Sequence, residues 1–329
     1  MAKKPTKEHR SWVEAPVVEA EIMASGLDLE AERAAHPRGV PVKRPFKFGR
    51  WFRATGWRHI VGIVMTLFAL FPIVFVISSS LNPQGTLTGS NALFSSIGLE
   101  SYVRILTDPQ VPYPQWFGNT LIIAAATAIG TVFLGGLAAY SFSRMRFTGR
   151  RFGLISIVVI QMFPQMLAVV AIFLLMSAIA DWFPAIGLNT QIGLIMVYLG
   201  GALGVNTFLM YGFFNTIPAS IDEAAKIDGA GHARIFFTII VRLAAPILAV
   251  VALLSFIFTV NEFAVASVLL IDTEKQTLAV GLTKLVSNPR YADWSAFSAG
   301  AVMAALPVVA LFLFLQKYIV GGLTAGAVK

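Results

Sequence analysis

The strongest constraint on this chain is where charge is missing. No Asp, Glu, Lys or Arg stands between Arg58 and Glu100, and further uncharged windows run Pro109–Ser143, Phe152–Ala180, Trp182–Ile221 and Trp294–Gln316. One more window, Leu243–Ile271, holds a single charge, Glu262. A helix needs about 20 mostly apolar residues to cross a bilayer. The windows therefore predict an all-α integral membrane protein with six spans, near 60–81, 117–142, 153–180, 192–214, 244–271 and 296–318. Proline and glycine inside them (Pro72, Gly130, Pro164, Gly200, Pro307) fit, because both are commoner in membrane helices than in soluble ones. Barrel strands would alternate apolar and polar residues, and these runs do not.

Composition agrees. Side chains are 57% hydrophobic and only 13% charged, with a mean hydropathy of +0.74. A soluble domain carries about 25% charged residues. The net charge of +8 would suit nucleic acid, but its distribution follows membrane topology instead. With the N-terminus inside, the segments flanking the spans on that face hold 15 Lys and Arg, against 4 on the other face: Arg104, Lys275, Lys284 and Arg290. Short inner loops carry the basic excess, so both termini are expected in the cytoplasm of a bacterial (inner) membrane. Arg144, Arg146, Arg150 and Arg151 read as topological anchors. Residues 1–58 differ from the rest, with 12 Lys and Arg and 7 Asp and Glu. They predict a basic cytoplasmic tail with a short amphipathic helix around Trp12–Ala35, ahead of a permease domain spanning 59–329.

Several chemistries are excluded. The absence of cysteine removes disulfides and thiolate sites. The four histidines have no metal-ligand spacing, and no G-x-S-x-G elbow occurs, so no catalytic residue, metal or cofactor is expected. There is also no G-x-x-x-x-G-K-[ST] loop, so any ATP must be bound by partner subunits. A secondary transporter remains the alternative. Such carriers tend to show internal repeats and several intramembrane ionisable groups, whereas this chain has one such group and no evident repeat.

Between the fourth and fifth spans, Asn215–Leu243 forms a polar loop. Pro218 ends the preceding helix. Ser220-Ile221-Asp222-Glu223 matches a capping box, with the Ser220 hydroxyl on the Glu223 amide. A short helix follows, and Gly229 is placed to close it in the left-handed conformation. A second helix begins near His232. The expectation is a helix–turn–helix elbow whose acidic first turn suits a partner's basic side chain.

These residues resemble the EAA loop of ABC importer permeases. The match is Glu223-Ala224-Ala225, then Gly229, then Ile239. Arg242 stands where many members have proline, and the nearest proline is Pro246. Gln161-Met162-Phe163-Pro164, Gly187-Leu188-Asn189-Thr190, Tyr198-Leu199-Gly200-Gly201, Thr277-Leu278-Ala279-Val280-Gly281 and the ending Gly322–Lys329 are similar to the carbohydrate-uptake branch. The resemblance implies a permease subunit of an ATP-driven sugar importer, with maltose/maltodextrin or a related oligosaccharide as cargo. It implies a second permease subunit as heterodimer partner, two cytoplasmic ATPase subunits and an extracytoplasmic sugar-binding protein. Glu223, Ala224, Ala225 and Gly229 would couple the permease to the ATPase, and the Gly322–Gly326 run would reach it as well.

Polar groups inside the spans are the candidates for a pathway or gate. Glu262 is the only acid there, and a charge at mid-membrane costs about 2.5–3.5 kcal/mol on insertion scales. Asn261, Gln161, Asn206 and Tyr198 could offer hydrogen bonds or an aromatic face to sugar, or could bond between helices.

Overall fold

A computed structural model describes residues 52–83, 93–288 and 292–327. The tail reading falls outside the described residues as far as Trp51. The chain divides into two compact units, Met1–Leu70 and Phe71–Lys329, with the boundary inside the first helix.

Among the described residues every regular element is helical. After one π-helical turn, α1 runs Trp57–Ser80, starting slightly before the expected 60. Next come α2 (Glu100–Thr107), α3 (Tyr113–Arg144), α4 (Arg150–Gln161), α5 (Gln165–Trp182) and α6 (Gln191–Phe214). Two elements outside the long helices follow: α7 (Ala219–Ile227) and α8 (His232–Leu243), which contains a π-helical turn at Phe236–Ile240. The chain ends with α9 (Ala245–Asn261), α10 (Ala264–Leu269), α11 (Leu278–Ser287) and α12 (Trp294–Ala327).

Helices α1, α3, α6 and α12 are each long and apolar enough to cross a membrane alone. Two bent pairs, α4–α5 and α8–α9, bring the total to as many as six spans. The expected third span, 153–180, is thus not one helix. Pro164 sits at the start of α5 in an extended conformation, where its missing N–H costs nothing. The expected fifth span, 244–271, is also interrupted: α9 stops at Asn261, Glu262 is extended, and α10 starts afresh at Ala264.

The second unit is organised around α3, which packs along α6 and α9, while α9 also packs on α12. Close approach is possible because α3 presents Ala124, Ala128, Thr131 and Gly135 as buried positions. A Cβ on Gly135 would lie 2.6 Å from the Met210 Cε of α6. At one end, Trp116 is 2% exposed and donates from Nε1 to the Thr273 carbonyl at 2.7 Å. Its ring fills the space over Gly281 of α11, where a Cβ would come within 2.2 Å of the ring. Asn189 closes the same end. Its Oδ1 accepts from the amides of Ile271 and Asp272, and its Nδ2 donates to the Asp272 carboxylate. That donor, aided by Lys275, holds the Asp272 carboxyl below its ordinary range.

Gly281→Ala should be overpacked against Trp116 and lose about 1–3 kcal/mol. Thermal unfolding in detergent should show an earlier transition than wild type; an unchanged midpoint would mean that the ring moves aside freely.

Candidate functional site

The elbow α7–α8 is assembled from the end of α6 outward. Asn215 terminates α6 and accepts from the Ser143 hydroxyl at 2.8 Å. Pro218 takes the N-cap position with φ −57° and ψ 131°. Helix α7 therefore begins at Ala219, which puts Ser220 inside the first turn. The expected capping box does not form, because no side chain caps this helix.

Asp222, in the same turn, has a different partner from the one expected. It is 4% exposed and faces inward, not toward a partner. Its Oδ2 is 2.6 Å from Arg144 Nε, and both side chains are buried, at 9% and 6% exposure. Arg144 ends α3, and its second guanidinium nitrogen donates to the Ile217 carbonyl at 2.7 Å. One side chain thus ties the end of a long helix both to α7 and to the turn before it. Arg144 is a structural tie as well as a basic residue at a membrane edge.

Below this pair lies an apolar base. Ala225, Ile217, Ile235, Phe236 and Ile240 from the elbow pack with Ala139 and Tyr140 of α3 and with Met210 and Phe214 of α6. The Tyr140 hydroxyl lies 3.3 Å from His232 Nδ1, and its ring is 5.3 Å from the Phe236 ring.

Helix α7 closes as a Schellman motif. The Ala230 amide donates to the Ala225 carbonyl and the Gly229 amide to the Lys226 carbonyl, with Gly229 at φ +80°. A Cβ on Gly229 would meet nothing within 4 Å, so backbone conformation alone demands glycine there. Glu223, Ala224 and Ile227 remain exposed on the outer face, whereas Ala225 belongs to the base. The four residues expected to couple lie on one short element, three outward and one inward. Arg242 sits inside α8. The sharp turn falls two residues later, at Ala244, and Pro246 occupies the first turn of α9. The two helices meet at 81°. Pro246 thus provides the break that a proline at 242 would have placed earlier.

The intramembrane candidates scatter. Tyr198 and Glu262 are brought together: the Tyr198 hydroxyl donates to Glu262 Oε2 at 2.5 Å. Glu262 also accepts from the Val265 amide at 2.8 Å and the Ala266 amide at 3.0 Å. Glu262 thus caps the restart of its own broken helix. Asn261 turns back to the Ile257 carbonyl. Gln161 donates to Gly201 at 2.9 Å, its side chain filling the place of a Cβ on Gly204. Asn206 bonds to Ala202 and to Ser255 of α9. Gln161, Asn206 and Tyr198 thus all make bonds between helices.

Two residues escaped sequence reasoning: Arg144 as a tie, and Ile227 as an exposed apolar group. A signal for Arg144 existed. Asp222 lies beside Ile221 and three residues from Ala225, so an acid borders the apolar face of α7 and requires a buried cation.

This architecture is that of a transport-system membrane component. Residues 131–324 match the family described as "Binding-protein-dependent transport system inner membrane component". The chain belongs to that family and is a multi-pass inner-membrane protein. Among its relatives, the maltose/maltodextrin transport system permease protein MalG of Yersinia pestis is 39% identical over 282 residues, covering 82% of this chain and 92% of the relative. The maltodextrin transport system permease protein MdxG of Bacillus subtilis is 39% identical over 266 residues, covering 81% and 93%. A chain in the crystal structure of a bacterial ABC transporter involved in the import of the acidic polysaccharide alginate superposes with a TM-score of 0.69 at 27% identity, covering 84% of this chain and 99% of that one.

Removing one charge of the Arg144–Asp222 pair should cost about 3–5 kcal/mol, because the other is left buried and unpaired. Asp222→Leu and Arg144→Met should each expose the elbow to protease. The double variant should be milder than either single one. If the single and double variants are cleaved alike, the pair does not hold the elbow. Glu262→Gln keeps only one carbonyl-type acceptor where a hydroxyl and two amides converge. It should lower thermal stability by about 1–3 kcal/mol, read as an earlier unfolding midpoint in detergent.

Proposed function

We propose that this chain is the transmembrane subunit of an ATP-driven importer of maltodextrins or related oligosaccharides. It forms the pathway with a second permease subunit. ATP is bound and hydrolysed by two cytoplasmic subunits, and an extracytoplasmic binding protein delivers the sugar. The observation that carries the reading is the elbow: a glycine-closed helix projecting from the bundle, with its inner face tied to α3 and its outer face bare. The charge distribution supports a cytoplasmic elbow and cytoplasmic termini. The similarity to maltose/maltodextrin permeases supports the cargo.

The mechanism follows from the packing. A force on Glu223 or Ala224 reaches α3 through the Arg144–Asp222 pair, and reaches α9 through α8 and the 81° turn at Ala244. A closely packed elbow moves as a piece with little internal give. ATP-driven closure of the ATPase subunits would draw the elbows of the two permeases together and open the cavity between them outward. Hydrolysis would reset it. The Glu262–Tyr198 bond and the polar groups at Asn261, Gln161 and Asn206 would keep the broken helices in register beside the pathway or gate. The Gly322–Gly326 run, at the end of α12, would lie on the ATPase side.

Two measurements test this. Capture of the wild-type chain from native membranes in mild detergent should bring down a P-loop ATPase; a chain that purifies without one would fit a secondary transporter. Gly229→Val should cut uptake of labelled maltodextrin about tenfold while membrane levels persist, since a left-handed conformation costs a β-branched residue about 1–2 kcal/mol. Gly229→Asn, which tolerates that conformation, should transport at several times the rate of the valine variant.

A further inference from the structure

Helices α3, α8, α9 and α12 frame an open groove of about 700 Å³. All of its lining side chains are apolar, among them Ile129 and Phe133 of α3, Phe237 and Val241 of α8, and Leu248 and Phe256 of α9. The Phe133 and Phe237 rings are stacked 6.5 Å apart, and each is about half exposed. The groove is short. It takes the stretch from Ala125 to Phe133 on α3 and from Leu248 to Phe256 on α9, each about 12 Å at the rise of an α-helix. That is close to one leaflet of hydrocarbon, half of about 30 Å. A helix crossing the whole bilayer would need roughly twice the length.

The charges around the groove have one sign. None of its four helices contains Asp or Glu. Helix α8 carries Arg234 and Arg242, both exposed and, among the described residues, in no ion pair. They lie on one stripe with Thr238, next to the Phe237 and Val241 stripe that lines the groove. With α9 upright in the membrane, the 81° turn lays α8 nearly along the surface. Helix α12 starts beside Tyr113, at the far end of α3 from the elbow. Its last turns therefore come to the elbow's side. There Lys317 lies two turns beyond Ala310, with its ammonium 5.0 Å from the Phe314 and Tyr318 ring centres.

We propose that this groove holds an acyl chain of an anionic phospholipid, whose phosphate rests on Arg234 and Arg242. An apolar slot one leaflet deep takes the chain, and the guanidinium groups match phosphate oxygens in charge and geometry. Lys317 adds positive charge at the same end. A zwitterionic phospholipid fits the slot equally well but brings its own cation to a basic mouth, so the site selects for net negative charge in the headgroup. The lipid touches α8 and α9 together and so spans the turn between the elbow and the bundle. The inference depends neither on the cargo nor on the ATPase subunits.

The test uses the assembled transporter, purified in mild detergent and stripped of lipid. It is titrated with phosphatidylglycerol or with phosphatidylcholine of the same acyl chains, and bound lipid is counted by native mass spectrometry. The wild type should hold one phosphatidylglycerol about tenfold more tightly than any phosphatidylcholine. Arg234→Gln and Arg242→Gln together should erase that preference by weakening phosphatidylglycerol alone. Both positions are exposed, so the double variant should keep the wild-type thermal midpoint. Ala252→Leu, which narrows the slot, should weaken both lipids alike. Equal binding of the two lipids by the wild type, or an unchanged preference in the double arginine variant, would overturn the proposal. So would a photo-cross-link from a probe on Ile129→Cys, the sole cysteine of its chain, to the second permease subunit, since protein would then occupy the groove. Lipid is counted directly, so failure here leaves uptake and ATPase capture as separate tests of the importer reading.

Discussion

In hydrocarbon an unbonded peptide group has no water to turn to, and this requirement bears on each broken span among the described residues. Long helices satisfy it along their length. Each break needs a local answer, and different side chains provide it. Glu262 receives the first amides of α10. Thr190 accepts from the Gly193 amide at the start of α6. Pro164 and Pro246 stand where a donor would have been orphaned. Gln161 crosses to the Gly201 carbonyl of a neighbouring helix. Polar side chains and prolines thus serve the helix ends and the crossings between helices.

Much of this was legible in the sequence. The gaps between charges locate every long helix, because insertion penalises charge more than it rewards any particular apolar residue. Gly229 was legible because only one conformation closes a short helix so tightly. Continuity was not. The window 153–180 looks unbroken by hydropathy, yet Pro164 divides it, and proline by itself does not say whether a membrane helix bends, breaks or continues. The partner of Asp222 was also hidden. A local motif, Ser220 to Glu223, predicted the helix start from neighbours in sequence, and a contact 78 positions away in the chain, from Arg144, decided which way the acid points.

The elbow combines two kinds of contact that age differently under stress. Its apolar base, from Ile217 to Ile240, is non-directional and tolerates small shifts. The Arg144–Asp222 pair is a buried contact of opposite charges, so it fixes orientation more than it adds stability. Together they hold the elbow against α3.

The wide turn at Phe236–Ile240 has a consequence for how such an arm can vary. A π-helical turn carries one residue more than the regular helix around it. Because the wide turn absorbs that extra residue, removing one residue there would restore ordinary pitch and leave the residues beyond it on their present faces. Ile240 and Ala244 would stay in the apolar base, and α9 would keep the stripe it now presents. The turn is a slack link, at which the arm can lose one residue and still mesh with the bundle.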